Sequence, residues 1–393
     1  MIIRPLRPDE NGKRAAVSSI AFSFSADIEE TNKEPLTSEI IGSFLDDGET
    51  LTAMIYPNNY NSNYCGTFLP SVGIGGVASL PEYRRSGCVR AIFNEILRMA
   101  PERGWATSFL YPFSYAYYRQ FGYERVLQKK TIKMPAAALC AVERNSNAAL
   151  YTGGTMLCDI LDIYNKFASR HNIMFTRDAS SSAYSTEPHK SKRLTYVWYD
   201  GAKPSSYATF TIDGNTMNVK ELVFNDSTGL AGIIGFLRMF EGQVSEYFFS
   251  GLPEDSELDY MLKEYIDCEY TLHNTAMGRV VLVEKLLNTN TYPEDPGHFA
   301  LRVDDFLDCN RGIYEVEYSG GMAQVKKLAG RTAYDTADYD VSMEIPSLTR
   351  VMLGCDDFNA DKAVYMAGVN LCNSADDFFR AFPKRRRFLN DHF

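Results

Sequence analysis

Residues 77–100 constrain the fold of this chain more than any other segment. They predict a strand, a basic turn around Arg84, Arg85 and Gly87, and a helix with apolar residues at positions 89, 92, 93, 96, 97 and 100. A strand that enters a helix through such a turn directs backbone N–H groups and the positive end of the helix dipole at one spot. Gly87 leaves room for a ligand because it has no Cβ. The segment therefore predicts a diphosphate site, although a simple β–α connection with two solvated arginines would show the same residues.

Composition narrows the class of protein. At roughly 150 residues per domain, 393 residues suggest two or three domains, and no stretch approaches the ~20 continuous apolar residues of a membrane span. The N-terminus lacks the apolar core of a secretory signal, which favours a cytoplasmic protein. A net charge of −10 disfavours partners such as nucleic acid or an anionic membrane. The cysteines are scattered without a Cys-x-x-Cys pair, so we expect reduced thiols and no metal site.

Local patterns divide the chain into three stretches, with a boundary after the strand exit at Pro135 and another near Leu286, where a linker-like segment begins. The second stretch has a helical pattern from Ile160 to Phe167, and its order of strands, helix and strand resembles that of the first. Its other predicted elements are strands over 194–199, 207–212, 217–224 and 247–249 and a helix over 230–240. The third stretch has predicted strands over 299–303, 312–318 and 323–328 and helices over 347–353 and 374–382.

A second motif follows the basic turn. It reads Tyr118-Arg119-x-Phe121-Gly122-Tyr123 and joins a short helix to a strand. Together with Arg84-x-x-Gly87-x-Val89, it resembles the GNAT acetyltransferases. Within them the chain most resembles the Eis group (enhanced intracellular survival proteins). The resemblance covers the whole chain, with one departure at Val89, where the general GNAT loop has Gly or Ala.

The resemblance implies a mixed α+β (α/β) fold with three domains. These are an N-terminal GNAT domain at residues 1–140, a second, degenerate GNAT-like domain at 141–287, and a sterol-carrier-like α+β domain at 288–393. It also implies that the C-terminus returns to the active site of the first domain.

The resemblance further implies an N-acetyltransferase that uses acetyl-CoA. The backbone of Val77 and Ser79 would hold the pantetheine arm of the cofactor, and the diphosphate would be held by Arg84, Arg85, Gly87, Cys88 and Val89. In the second domain the equivalent turn, residues 224–229, lacks an arginine and carries Asp226, which would repel a diphosphate. We therefore expect one cofactor site per chain.

Acetyl transfer requires a proton acceptor for the amine and a proton donor for the departing thiolate. A phenol with a pKa of about 10 keeps its proton at neutral pH and can donate it. The resemblance assigns the donor role to Tyr123 and the acceptor role to the terminal carboxylate of Phe393. The ordinary alternatives are a core tyrosine and a frayed chain end. His392 is the other base nearby.

The acceptor pocket of the family falls near Phe22, Phe24 and Asp27, and acidic residues there would suit a small polycationic amine such as an aminoglycoside or a polyamine. A protein-lysine acetyltransferase and a non-catalytic CoA or lipid carrier or sensor are the alternatives. The resemblance suggests a homo-hexamer. We expect the basic run at 384–387 to offset the charge and dipole of the helix before it, not to bind nucleic acid.

Overall fold

The computed structural model describes residues 1–180, 184, 186–328 and 338–393. The strands are β1 (Ile2–Pro5), β2 (Ile41–Phe44), β3 (Leu51–Tyr64), β4 (Thr67–Ser79), β5 (Thr107–Leu110), β6 (Glu124–Arg125), β7 (Gln128–Pro135), β8 (Ala148–Leu150), β9 (Leu194–Asp200), β10 (Lys203–Asp213), β11 (Thr216–Phe224), β12 (Glu246–Pro253), β13 (Glu269–Asn274), β14 (Met277–Val280), β15 (Gly297–Asp304), β16 (Gly312–Ser319), β17 (Met322–Leu328), β18 (Val341–Glu344) and β19 (Val369–Leu371). The α-helices are α1 (Asn11–Phe22), α2 (Ile28–Thr31), α3 (Cys88–Arg98), α4 (Ala100–Arg103), α5 (Tyr115–Arg119), α6 (Met156–Ala168), α7 (Pro188–Ser191), α8 (Ser227–Leu237), α9 (Val283–Thr289), α10 (Ile345–Met352), α11 (Ala360–Ala363) and α12 (Asp376–Ala381).

The described strands form three sheets. Their orders are β1-β2-β3-β4-β5-β14-β6, β13-β7-β12-β11-β10-β9-β8 and β17-β16-β15-β18-β19. The first two sheets exchange strands, because β7 joins the second sheet and β14 returns to the first. The mixed α+β fold is confirmed, whereas the domain limits at residues 140 and 287 stay predictions. Among the described residues, none of the helices combines the length and the apolar composition that a membrane span requires.

Most elements predicted in the second and third stretches are confirmed. The helical pattern from Ile160 to Phe167 is α6, which buries both residues in the core of the second sheet. The strand patterns correspond to β9 to β12 and β15 to β17, and the remaining helical patterns to α8, α10 and α12. The linker expected from Leu286 is wrong in its first part, because α9 continues to Thr289 and buries Leu286.

The strands β4 and β5 position the site. They run parallel and pair over residues 71–74 and 107–110, where β5 ends. Strand β4 continues to Ser79, so its edge toward β5 has no strand partner beyond Ile74 in the described structure. The two strands therefore diverge and leave a cleft whose far end is the N-terminus of α3.

The C-terminal segment crosses from the second sheet to the first. Lys384 and Arg386 pair with acids that follow β12, at 2.9 Å from Glu254 and 3.0 Å from Asp255. The expectation that this basic run offsets the preceding helix is therefore wrong. Lys384 and Arg386 attach the segment to the second domain, whereas Arg385 donates to Asn290 and Thr291 beyond α9.

Candidate functional site

A cavity of about 810 Å³ opens between the end of β4, the turn before α3, and α5. All seven residues predicted to hold the cofactor line this cavity: Val77, Ser79, Arg84, Arg85, Gly87, Cys88 and Val89. The strand and the turn thus bring the predicted residues to one surface.

The turn leaves a run of backbone donors open. Arg85 and Gly87 have positive φ angles of 63° and 89°. From Arg85 to Arg90 no backbone N–H donates to a described residue, and the first helical bond is from the Ala91 N–H to the Gly87 carbonyl at 3.0 Å. Consecutive free N–H groups at a helix N-terminus bind anions.

The side chains of the turn add positive charge. Arg84 and Arg85 are exposed, and no carboxylate of the described chain forms an ion pair with either of them. Arg90, which also lines the cavity, donates to the Gln120 amide oxygen. The turn is therefore an electropositive surface whose two arginines are unpaired within the described structure.

Cys88 lies at the first residue of α3, with its thiol 3.0 Å from the Ser86 hydroxyl and 3.4 Å from that of Thr52. Burial raises the pKa of this thiol, but hydrogen bonds from Ser86, Thr52 and Ser43 outweigh that effect and lower it. The thiol is held in place at the base of the turn.

Phe393 lies where β4 and β5 begin to diverge. A Cβ at Gly75 would come within 2.8 Å of the Phe393 carbonyl carbon, so this approach requires glycine. The Phe393 ring packs against Tyr60 and Tyr111, with centroid distances of 5.5 and 5.4 Å. Phe393 does not line the cavity, but the residue it contacts, Gly75, lies on β4 two residues before the cavity-lining Val77.

Contacts at Asp391 fix the terminus. The Tyr111 hydroxyl donates to the Asp391 carbonyl at 2.6 Å, and the carboxylate accepts from Arg177 Nε at 2.6 Å and from the Tyr164 hydroxyl at 2.7 Å. Arg177 and Tyr164 are buried in the second domain. The chain end is therefore anchored, not frayed.

Tyr123 lies in the core of the first domain. It is fully buried, its hydroxyl lies 2.6 Å from Ser108 Oγ, and it does not line the cavity. Burial raises its pKa to about 12, partly offset by the bond to Ser108. The preceding Gly122 has a φ of 84°, and a Cβ there would collide with Arg279, which donates to the Phe121 carbonyl at 2.8 Å. Packing therefore accounts for the glycine of the Phe-Gly-Tyr corner.

Tyr118, at the start of the same motif, differs from Tyr123 in the environment of its hydroxyl. Its ring is buried against Phe113, 5.2 Å between centroids, and Phe93, 5.8 Å. The hydroxyl bonds to no described residue and is not fully enclosed, so it retains contact with solvent. Burial raises its pKa. A protonated phenol with a free hydroxyl is therefore present beside the cavity wall.

Of the three residues predicted to bind the acceptor near α1, one lines the cavity. Phe22 lines it, whereas Phe24 and Asp27 do not. All three are exposed, and Asp27 accepts from the Glu30 N–H at 2.9 Å as the cap of α2. Sequence reasoning missed other lining residues, which fall on or near the Tyr-x-x-Phe motif: Phe113, Tyr117, Gln120 and Phe121. The spacing of 117, 120 and 121 on one helical face was the available signal.

The corresponding turn of the second domain is closed. Asp226 accepts from the Gly229 N–H at 2.8 Å and caps α8. Arg170 donates to the carbonyls of Phe224 and Asn225. The chain's own carboxylate thus occupies this helix start and satisfies one of its donors, the Gly229 N–H.

Protein-family models match three parts of the chain. An acetyltransferase (GNAT) domain matches residues 3–126, a second acetyltransferase (GNAT) domain matches 173–280, and a sterol carrier protein domain matches 283–390. No curated protein matches the sequence.

Solved structures share the fold along the full length. A probable N-acyltransferase from Enterococcus faecalis V583 has a TM-score of 0.84 at 21% identity, covering 100% of this chain and 99% of that one. A GCN5-related N-acetyltransferase from Anabaena variabilis has a TM-score of 0.78 at 18% identity, and Eis1 from Mycobacterium abscessus has 0.77 at 17%, each covering 100% of both chains.

Proposed function

Because the chain belongs to the GNAT N-acetyltransferases, with the Eis-like order of two GNAT domains and a sterol carrier domain, we propose that its first domain transfers acetyl from acetyl-CoA to a small polycationic amine. The observation that carries this proposal is the open turn at residues 85–90, whose free N–H groups border a cavity of about 810 Å³ beside Arg84 and Arg85.

The residues present fit acetyl-CoA. Free N–H groups and two arginines without internal partners suit a diphosphate. The unpaired edge of β4 at Val77 and Ser79 offers backbone groups to an extended pantetheine arm. When bound, the cofactor supplies an activated thioester. Val77, Ser79 and the turn would orient it along the cleft toward the point where β4 and β5 diverge.

The terminal carboxylate of Phe393 is the proton acceptor in this proposal. It lies at the divergence of β4 and β5, and its position is fixed by the Gly75 approach and by the anchored Asp391. A negative charge there attracts a protonated amine and can take its proton, directly or through water.

The proton donor lies in the motif that runs from Tyr118 to Tyr123. The resemblance points to Tyr123, but its hydroxyl is engaged by Ser108 in the core. Tyr118 keeps a free hydroxyl beside cavity-lining Phe113 and Tyr117. We assign the donor role to Tyr118 and a structural role to Tyr123.

Two matched substitutions test this assignment. Tyr118→Phe should lower kcat for amine acetylation by about a hundredfold or more, because a general acid is lost, while calorimetry shows unchanged coenzyme A affinity. Tyr123→Phe, in the same core, should lower kcat far less. The reverse ranking would return the donor role to Tyr123, and unchanged turnover in both variants would remove the phenol from the mechanism.

The acceptor class rests on charge. Asp27, Glu29 and Glu30 are exposed at α2, and Phe22 links this region to the cavity. Thiol release should therefore be fastest with aminoglycosides or polyamines in an amine panel. A preference for lysine peptides would favour the protein-lysine alternative, and cofactor binding without release on any amine would favour a carrier or sensor.

Self-association is part of the proposal. Strand β13 is the edge of the second sheet, and the surface around it exposes Tyr260, Tyr265, Ile266, Tyr270 and Leu272. Such a patch and a free strand edge support contact with another copy of this chain. Light scattering should report an oligomer, with a hexamer as the specific expectation.

A further inference from the structure

A second cavity, of about 660 Å³, lies between the sheet of the second domain and the C-terminal segment. Its walls come from β7, β10, β11 and β12 on one side and residues 390–392 on the other. It shares no lining residue with the cofactor cavity. Its charged lining residues are Lys129, Arg177, Arg193, Lys220, Glu221 and Asp391.

The carboxylates of this cavity are already engaged. Arg177 binds Glu221 at 3.0 Å and Asp391 at 2.6 Å, and its guanidinium is buried. Glu221 also accepts from the Tyr207 hydroxyl at 2.9 Å. One arginine therefore forms ion pairs with both acids, and the two carboxylates face three cations, Arg177, Lys129 and Lys220.

Lys129 forms no direct ion pair within the described chain, although Asp391 and Glu221 lie near enough to raise its pKa. Its side chain is buried, with 7% of the residue exposed, and its ammonium donates to Asn390 Oδ1 at 2.9 Å. No carboxylate of the described chain lies within ion-pair distance of it, and the rings of Tyr111 and Phe388 flank it at 5.9 and 5.8 Å. Lys220 adds an exposed ammonium at the same cavity.

A buried ammonium that faces a cavity without an ion pair is costly to keep. A ligand that brings an oxyanion would satisfy its remaining donors and offset the charge. We infer that this cavity binds a small anionic metabolite that carries a carboxylate or a phosphate group, held by Lys129 and Lys220.

The ligand would also fasten the C-terminus. Lys129 donates to Asn390, and Arg177 pairs with the adjacent Asp391. The cations of the cavity therefore bind the segment that ends at Phe393. Occupancy of the cavity therefore stabilises the position of Phe393. The binding itself is independent of acetyl transfer.

The test uses the chain saturated with coenzyme A, so that phosphate cannot report the cofactor turn. Inorganic phosphate and citrate are titrated by calorimetry against chloride of equal ionic strength, and the probe that binds identifies the phosphate or carboxylate class. Lys129→Met should weaken binding by about tenfold or more and Lys220→Met by a smaller factor. The control Lys130→Met, whose side chain pairs with Asp259 at 2.6 Å outside the cavity, should bind as wild type does.

The bound probe should also slow the release of Phe393 by carboxypeptidase A. No saturable binding of either probe, or full affinity in folded Lys129→Met and Lys220→Met, would overturn the site. Binding that leaves the release rate unchanged would overturn its link to the C-terminus.

Discussion

The turn between β4 and α3 in the first domain and the turn between β11 and α8 in the second occupy the same place in their units. In the first, the N–H groups of residues 85–90 have no acceptor among the described residues, and two arginines lie beside them. In the second, Asp226 caps its own helix and Arg170 covers the carbonyls of the turn. The comparison teaches that a β–turn–α unit keeps its fold whether its helix start is open beside two arginines or capped by a carboxylate of the chain.

The two domains also differ in how they contact the C-terminal segment. Strands β11 and β12 pair only over 216–219 and 246–249, and Asn390 of the C-terminal segment reaches the second sheet beside them, near Gly251. In the first domain the same segment ends at Gly75, at the mouth of the cleft. The second domain therefore holds the C-terminal segment so that its last residue lies against the first domain.

The largest effect is expected from reversing the charge of the first turn. The double variant Arg84→Glu, Arg85→Glu should weaken coenzyme A binding by roughly a hundredfold or more, since two charge-assisted contacts become repulsive. Arg98→Glu, an exposed position at the end of α3, is the matched control and should bind normally. Equal affinity in both variants would show that the turn is not the diphosphate site.

A smaller effect is expected at Lys129, the buried cation on strand β7 of the second sheet. Burial lowers the pKa of Lys129 from 10.5 to about 8, an effect that the nearby Asp391 and Glu221 reduce and Arg177 reinforces. Between these values the unfolded chain binds more protons than the folded chain, so the free energy of unfolding rises with pH from about 8 to 10.5. Lys129→Met should flatten this slope and stabilise the protein at pH 7 by roughly 1–3 kcal/mol.

Urea unfolding across this pH range, with Lys130→Met as the control, measures the slope. His392 faces the same cavity, but its pKa is lowered from 6.5, so it does not titrate between pH 8 and 10.5. A Lys129→Met protein that is less stable at pH 7 and keeps the wild-type slope would contradict the assignment of a costly buried charge.

The smallest effect is expected at the closed turn. Asp226→Ala should cost about 1 kcal/mol of stability through the lost helix cap, and coenzyme A affinity should not change. A second molecule of coenzyme A bound by this variant would show that Asp226 alone had closed the second site.

Local chemistry made the cofactor turn predictable. A strand, two arginines, a glycine and a helix within residues 77–100 decide that site, and all seven predicted residues line one cavity. The same holds for the helices and strands with clear periodicity, such as α6 and β16.

Contacts between distant residues could not be predicted. The bond between Ser108 and Tyr123, the donor that the resemblance implied, joins β5 to the loop before β6. Asp27 is used as a helix cap, which its sequence context also permits. The anchoring of Asp391 by Arg177 and the approach of Phe393 to Gly75 depend on how the domains pack. The exchange of β7 and β14 between sheets leaves no local signal either.

The number of coenzyme A molecules bound per chain tests the central claim most directly. Calorimetric titration of the intact protein should give one site per chain, with affinity that falls as salt increases because arginines contact phosphates. Two sites per chain, or no measurable binding, would contradict the account of one open and one closed turn.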